Sequence, residues 1–289
     1  MIIKTSKKIS VIDELFLLIH EAVLILFGEV RNLVISLLFP VLADVVIIWI
    51  AGEDMFLNME STKSACFILV CAAIWGGLFN SIQVIVKERS NIKRDYVSGA
   101  LRIECYSASR AIVQLVLCLV QSAILCLSIL GVNWVYGNSL PEDALLLSDP
   151  MWEYYVTVFL IMYAADTMGL MISCLVKSEQ LASQLSPYIL IVQLLLSGVL
   201  FEMTGAASAV SGIMLSRWGM EALGNISDIN GIESRITKEF PMYPSPFDES
   251  FEHTADHLGE SWLILLAFCI VPLVIGTVML HRVSKDSRE

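Results

Sequence analysis

The sequence predicts an all-α integral membrane protein with six transmembrane helices, and three observations carry that expectation. The 289 residues are 56% hydrophobic and only 16% charged, and the mean hydropathy is +0.73, outside the balance of soluble domains. Apolar runs recur along the whole length, each near the roughly 20 helical residues that cross a hydrocarbon core. Positive charge between the runs falls almost entirely on one side.

The first run is Leu33–Ala51, and the others are Cys66–Val86, Ala111–Val135, Tyr154–Val176, Leu185–Glu202 and Ser261–Leu280, read by hydropathy and period. An even number places both termini on one side. Of the 18 Lys and Arg residues, only Lys63, Arg217, Arg235 and Lys238 fall on the other side, so the termini are read as cytoplasmic in a multi-pass protein of the cell membrane. Most acids lie on the opposite face. The formal net charge of −11 is therefore an outer-face property, and no nucleic-acid partner is expected. Met1–Ser10 is basic but leads into no apolar run with a small-residue cleavage site, so the chain is read as mature.

The elements follow in order. Residues 1–32 form a cytoplasmic or interfacial segment, where Val11–Phe27 has apolar residues at helical spacing broken by Asp13, Glu14, His20 and Glu21. That pattern fits an amphipathic helix in the membrane interface or an extension of the first span. Residues 33–289 form the six-span domain. Its first span carries Pro40, which removes one helical hydrogen bond and predicts a kink. It also carries Asp44, whose insertion cost of about 2.5–3.5 kcal/mol is offset by aliphatic neighbours at about 0.3–0.6 kcal/mol each. In the second span, Ala72 with Gly76 and Ala73 with Gly77 have the small-residue spacing that lets another helix approach. Lys87–Arg102 is too polar for burial and is either a short helix on the cytoplasmic surface or a solvated basic loop. The outer loop 204–260 divides into a small and apolar part, Gly205–Leu223, able to re-enter the membrane as short helices, and an acidic, proline-rich cap.

The motifs of soluble chemistry are missing. The sequence contains no G-x-x-x-x-G-K-[ST], G-x-G-x-x-G, G-x-S-x-G, H-E-x-x-H or paired C-x-x-C, so catalysis by this chain alone is not expected. The seven cysteines lie in or beside spans and read as packing residues. His253 and His257 have a metal-compatible spacing, but their acidic segment reads better as a hydrated loop, and no metal site is expected. Asp44 and Asp166 lie near the middle of their spans, where an ionisable group is a functional hypothesis by default. They lack the glycine-flanked pattern of intramembrane aspartyl proteases, which leaves polar bonding, a wet cavity or a relay.

Three stretches then resemble the membrane domain of type-2 ABC exporters, in the G-subfamily arrangement. Val86–Gly99 is similar to the family's coupling helix, E-R-x-x-x-x-R-E-x-x-x-G, through Glu88, Arg89, Arg94 and Gly99, with Asp95 where Glu is usual. Ser197-Gly198-Val199-Leu200-Phe201 resembles the family's hydrophobic gate, and Leu215–Leu223, with Arg217, Trp218 and Glu221, its re-entrant segment. The chain departs from the family in carrying no fused ATPase segment and no cysteine pair in the outer loop.

The resemblance implies a permease subunit that exports a hydrophobic or amphipathic cargo, whether lipid, peptide or drug-like. Its energy would come from a separate ATPase subunit in two copies that holds ATP and Mg, with no cofactor in this chain. A second permease chain, identical or paralogous, and membrane lipids would be the other partners. Lys87, Glu88, Arg89, Lys93, Arg94, Asp95 and Gly99 would couple to the ATPase, and Val199 and Leu200 would gate the exit. Trp75, Phe79, Asn80, Gln83, Gln193 and Leu196 would line the cargo cavity, although each also fits ordinary helix packing. Two other functions remain open: an ion-coupled carrier or channel using Asp44 and Asp166, and a non-transporting membrane sensor or scaffold.

Overall fold

The computed structural model describes residues 10–285 except 142, 200, 202–204, 233 and 235–247, with backbone alone at 283–285. Among the described residues the chain is helical, without a strand. Helices α1 (Val11–Gly28) and α2 (Val30–Ile50) meet at Glu29, where φ −91° and ψ 53° interrupt the helical path. The N-terminal segment is thus a helix of its own and not an extension of the first span. Helix α2 runs on through Pro40.

Helix α3 (Met59–Ser81) begins at Asn58, whose side chain accepts from the Glu60 amide at 2.9 Å, satisfying one of the free donors of a helix start. A short break leads into α4 (Val84–Val97). Next come α5 (Ile103–Leu125), α6 (Leu127–Tyr136) and α7 (Pro150–Leu175). Asp149 caps α7, and Pro150 occupies its first turn, where its missing N–H costs nothing. Helix α8 (Glu179–Leu195) starts from a Ser178 cap. The short helices α9 (Ala206–Ser211) and α10 (Leu215–Ile226) precede a single 3-10 turn at Glu249–Phe251 and the long α11 (Ala255–Lys285).

Among the described residues, five helical stretches are long and apolar enough to cross a membrane: Val30–Ile50, Met59–Val97, Ile103–Tyr136, Pro150–Leu175 and Ala255–Arg282. They begin before the apolar runs do, and the stretches at Met59 and Pro150 start from side-chain caps at Asn58 and Asp149. The run expected at Leu185–Glu202 corresponds to α8, which has 17 residues and stops at Leu195. Gly198, with φ +82°, then turns the chain in a conformation that favours glycine.

The core forms where α7 packs along α3 and α11. Gly77 of α3 lies against the Met162 carbonyl and the Asp166 amide, and Gly169 of α7 lies against Ser81 and the Leu78 carbonyl. A methyl group at either position would overlap the facing helix. The small-residue spacing in the second span thus serves contact with α7, as backbone approach in membranes requires. All seven cysteines are free, and six of them are buried, in keeping with a packing role.

Candidate functional site

Helix α4 is amphipathic. Ile85, Val86 and Ile92 are buried, whereas Ser90, Asn91, Arg94 and Val97 are exposed. This division explains why a stretch of loop-like composition is a helix: its few apolar residues recur on one face and pack on the bundle. Several inward bonds hold it there. The Ile85 and Val86 amides donate to the Ser173 hydroxyl at 3.1 and 3.0 Å, and Arg89 donates to the Val176 carbonyl at the end of α7. One Glu88 oxygen accepts from the Tyr106 hydroxyl at 2.5 Å and from Arg110 at 2.6 Å. Arg110 also stacks over the Tyr106 ring at 4.9 Å.

Expectation and structure divide the coupling residues. Lys87, Arg94 and Gly99 are exposed, and Lys93 and Asp95 are half-buried. Glu88 and Arg89, expected among the residues that couple to the ATPase, tie α4 to α5 and α7; a charge this close to the bundle is stabilised by pairing rather than by water. Lys87 lies 3.6 Å from Glu29, and Arg94 lies 3.0 Å from Asp95 in an exposed pair of the kind worth about 0–1 kcal/mol. The helix ends where the Asp95 carbonyl accepts from the Ala100 and Leu101 amides, around Gly99 at φ +73°, a position that favours glycine.

A cavity of about 660 Å³ opens between the α1–α2 pair and helices α3, α4 and α5. Trp75 and Phe79 stack along its wall with ring centroids 5.3 Å apart, and Phe39 adds a third ring 6.3 Å from Trp75. Asn80 and Gln83 line it as well. Asn80 donates to Gln121 at 2.5 Å, and Gln121 donates to the Ser36 carbonyl at 2.8 Å, linking α3, α5 and α2. Gln83 donates to the Ser183 hydroxyl at 2.5 Å.

Gln193 and Leu196 are not part of this cavity, because its second wall comes from α1, α2 and α5 rather than α8. The Gln193 side chain accepts from the Ser216 amide at 3.0 Å, and its carbonyl accepts from the Ser216 hydroxyl at 2.5 Å. Gln193 thereby caps α10 from outside, where Met214 supplies no side-chain cap. Leu196 terminates α8.

At the other end, Val199 packs against the core and its amide donates to the Ser197 hydroxyl at 3.3 Å. Leu200 lies outside the described residues. The segment expected to form short helices does so, as α9 and α10. Arg217 lies 2.7 Å from Glu221, donates to the Ser208 carbonyl at 3.3 Å and sits 5.4 Å from the Trp218 ring centre. Trp218 donates to the Gly212 carbonyl at 2.9 Å. Burial pushes the Glu221 carboxyl above its ordinary range, and the Arg217 guanidinium opposes that shift.

Asp166 is fully buried, and neither carboxylate oxygen has a hydrogen-bond partner among the described residues. Cys118, Tyr163 and Cys269 surround it. Asp44 is also buried but lies beside Ser128 and Cys126, so the two aspartates have different neighbours. His253 pairs with the Asn225 carbonyl at 2.6 Å and His257 with the Ser250 carbonyl at 3.1 Å. Among the described residues no group of three or more His, Cys, Asp and Glu side chains could hold a metal ion.

Sequence reasoning missed Arg110, Gln114 and Gln121. The available signal was a polar stripe at i, i+4 and i+11 on one face of an apolar helix. It also missed Glu153, a buried carboxylate that accepts from the Leu145, Leu146 and Leu147 amides at 2.8, 2.5 and 2.9 Å.

The fold and this site define a multi-pass membrane protein with a charged helix anchored at one end of an apolar helical bundle. The chain belongs to the ABC-2 type transporter family, whose model matches residues 14–226, and is accordingly a membrane component of an ABC transporter. It is similar to the ABC transporter ATP-binding/permease protein Rv1747 of Mycobacterium tuberculosis, at 27% identity over 207 residues. The match covers 71% of this chain and 22% of that relative, so the chain spans about a fifth of the relative's length.

Proposed function

We propose that this chain is the permease subunit of an ATP-driven exporter that moves a hydrophobic or amphipathic cargo outward. In this reading α8 is the sixth transmembrane element, both termini are cytoplasmic, and α1 lies in the membrane interface. A separate ATPase subunit, in two copies with ATP and Mg, acts on two permease chains. The observation that carries the reading is α4, whose polar face is open while its other face is fixed to α5 and α7. Force applied to Ser90, Asn91, Arg94 and Val97 would therefore reach the cavity wall through Glu88 and Arg110. Val199 and Leu200 serve as the outer gate, where apolar side chains exclude water.

The ion-coupled reading draws on the unpartnered Asp166 carboxyl, but a relay through Asp44 gains little from two aspartates with separate neighbours. The test is ATP hydrolysis and cargo transport by the chain reconstituted with its ATPase. Arg94→Glu with Val97→Asp should lower cargo-stimulated hydrolysis at least tenfold. Transport that continues without ATP and falls with Asp166→Asn would favour the ion-coupled carrier instead.

A further inference from the structure

The cavity between the α1–α2 pair and helices α3 to α5 has a chemistry more specific than "hydrophobic". Four charged residues line it, Glu29, Lys87, Glu88 and Arg110, and they close on one another as Lys87–Glu29 at 3.6 Å and Arg110–Glu88 at 2.6 Å. The wall therefore presents no net charge. Its remaining polar groups are uncharged: the carboxamides of Asn32, Asn80, Gln83 and Gln114 and the Ser36 hydroxyl. Gln114 is buried. Its amide nitrogen donates to the Asn80 carbonyl at 3.2 Å, while its side-chain oxygen has no partner among the described residues. A carboxamide both donates and accepts, and a buried one left half-satisfied favours any ligand that completes it. Phe39, Trp75 and Phe79 supply the apolar side, and the volume of about 660 Å³ is typical of a small-molecule site.

We propose that each chain carries its own site here, closed by α1, for a neutral amphiphile whose head bears hydroxyl or amide groups and whose apolar body lies along Phe39, Trp75 and Phe79. A charged head meets two ion pairs that already balance, Arg110–Glu88 and the partly exposed Lys87–Glu29, and would have to compete with a partner already in place or settle for the single Arg110 Nε donor, which has no partner among the described residues. An uncharged head needs only the carboxamides. The proposal rests on the reading of this cavity as a cargo site, and it adds the class of cargo and the place where one chain holds it.

The test is binding to the full-length chain in detergent, read by quenching of tryptophan fluorescence with brominated-chain probes. The probes are a monoacylglycerol, the chain-matched fatty acid and the chain-matched alkylamine. The expected result is tighter binding of the monoacylglycerol by at least tenfold, with quenching that falls when Trp75→Phe removes the reporter. Glu29→Gln, at the more exposed pair, should raise fatty-acid binding severalfold by releasing Lys87, and Glu88→Gln should do the same through Arg110. Equal binding of all three probes, preference for a charged head, or quenching unchanged in Trp75→Phe would overturn the proposal. The measurement involves no ATPase, so its failure leaves the exporter reading standing. Conversely, success without a recoverable ATPase would leave the site and remove the exporter.

Discussion

The Arg110 guanidinium on α5 lies 2.6 Å from the Glu88 carboxylate on α4, and the Tyr106 hydroxyl donates to the same oxygen at 2.5 Å. Arg110 is 4% exposed and Glu88 18%, so the charge on Arg110 depends on its partner. Breaking such a pair costs about 3–5 kcal/mol, whereas replacing both partners by apolar residues is often neutral. Glu88→Leu alone should therefore destabilise the chain by that order, and Glu88→Leu with Arg110→Met should recover most of the loss. Thermal unfolding of the purified chain in a double-mutant cycle checks this; simple additivity would mean that the pair does not anchor α4.

Gly77 predicts a second loss. Its replacement by Ala meets the Met162 carbonyl of α7, and overpacking of this kind costs about 1–3 kcal/mol. Gly28, with nothing within 4 Å of an added methyl group, should tolerate Ala with a change of about 0.5 kcal/mol or less. The melting temperatures of the two variants, measured side by side, decide the matter.

Glu153 gathers three backbone amides ahead of α7. Hydrogen bonds to a charged group are worth about 1.5–3 kcal/mol each, so Glu153→Ala should release residues 145–147. Limited proteolysis should then cut there first, while helix content by circular dichroism is unchanged.

Glu221 gives a pH dependence. Its carboxyl is raised in the folded chain, so the folded state holds its proton more firmly than the unfolded state. That contribution is complete below the unfolded value, about pH 4, and is lost as pH rises through the folded value. Arg217→Met removes the opposing guanidinium and should steepen this loss, whereas Glu221→Gln should abolish it. Unfolding temperature against pH for the three proteins measures the slopes.

Much of the fold was legible because membrane spans are written as long apolar runs, and α2, α3, α5, α7 and α11 all follow them. The exception, α8, shows the limit of that signal. Hydropathy continues past Leu195, but the backbone turns at Gly198, which no average over a window detects. Helix α4 was legible as a polar stretch, yet the direction of each charge was not, since Glu88 finds its partner on a helix separated by a turn. Trp75, Phe79, Asn80 and Gln83, put forward as cavity residues by the family resemblance, line a cavity within this one chain. Gln193 and Leu196, which the resemblance also put forward as cavity residues, lie on α8 and at its end, away from this cavity of the single chain, and spacing within one helix says nothing about which helix or chain faces it.

A chain that takes its energy from a partner acting on α4 should be recovered together with that partner. The most direct measurement is gentle purification from the native membrane, followed by mass spectrometry of the intact complex, for the unaltered chain and for Arg94→Glu with Val97→Asp. The expected result is two permease chains with two ATPase subunits, and loss of the ATPase from the variant while the chain itself remains folded. Recovery of the unaltered chain without any ATPase, under conditions that hold known complexes together, would contradict it and make Asp166 the first residue to replace.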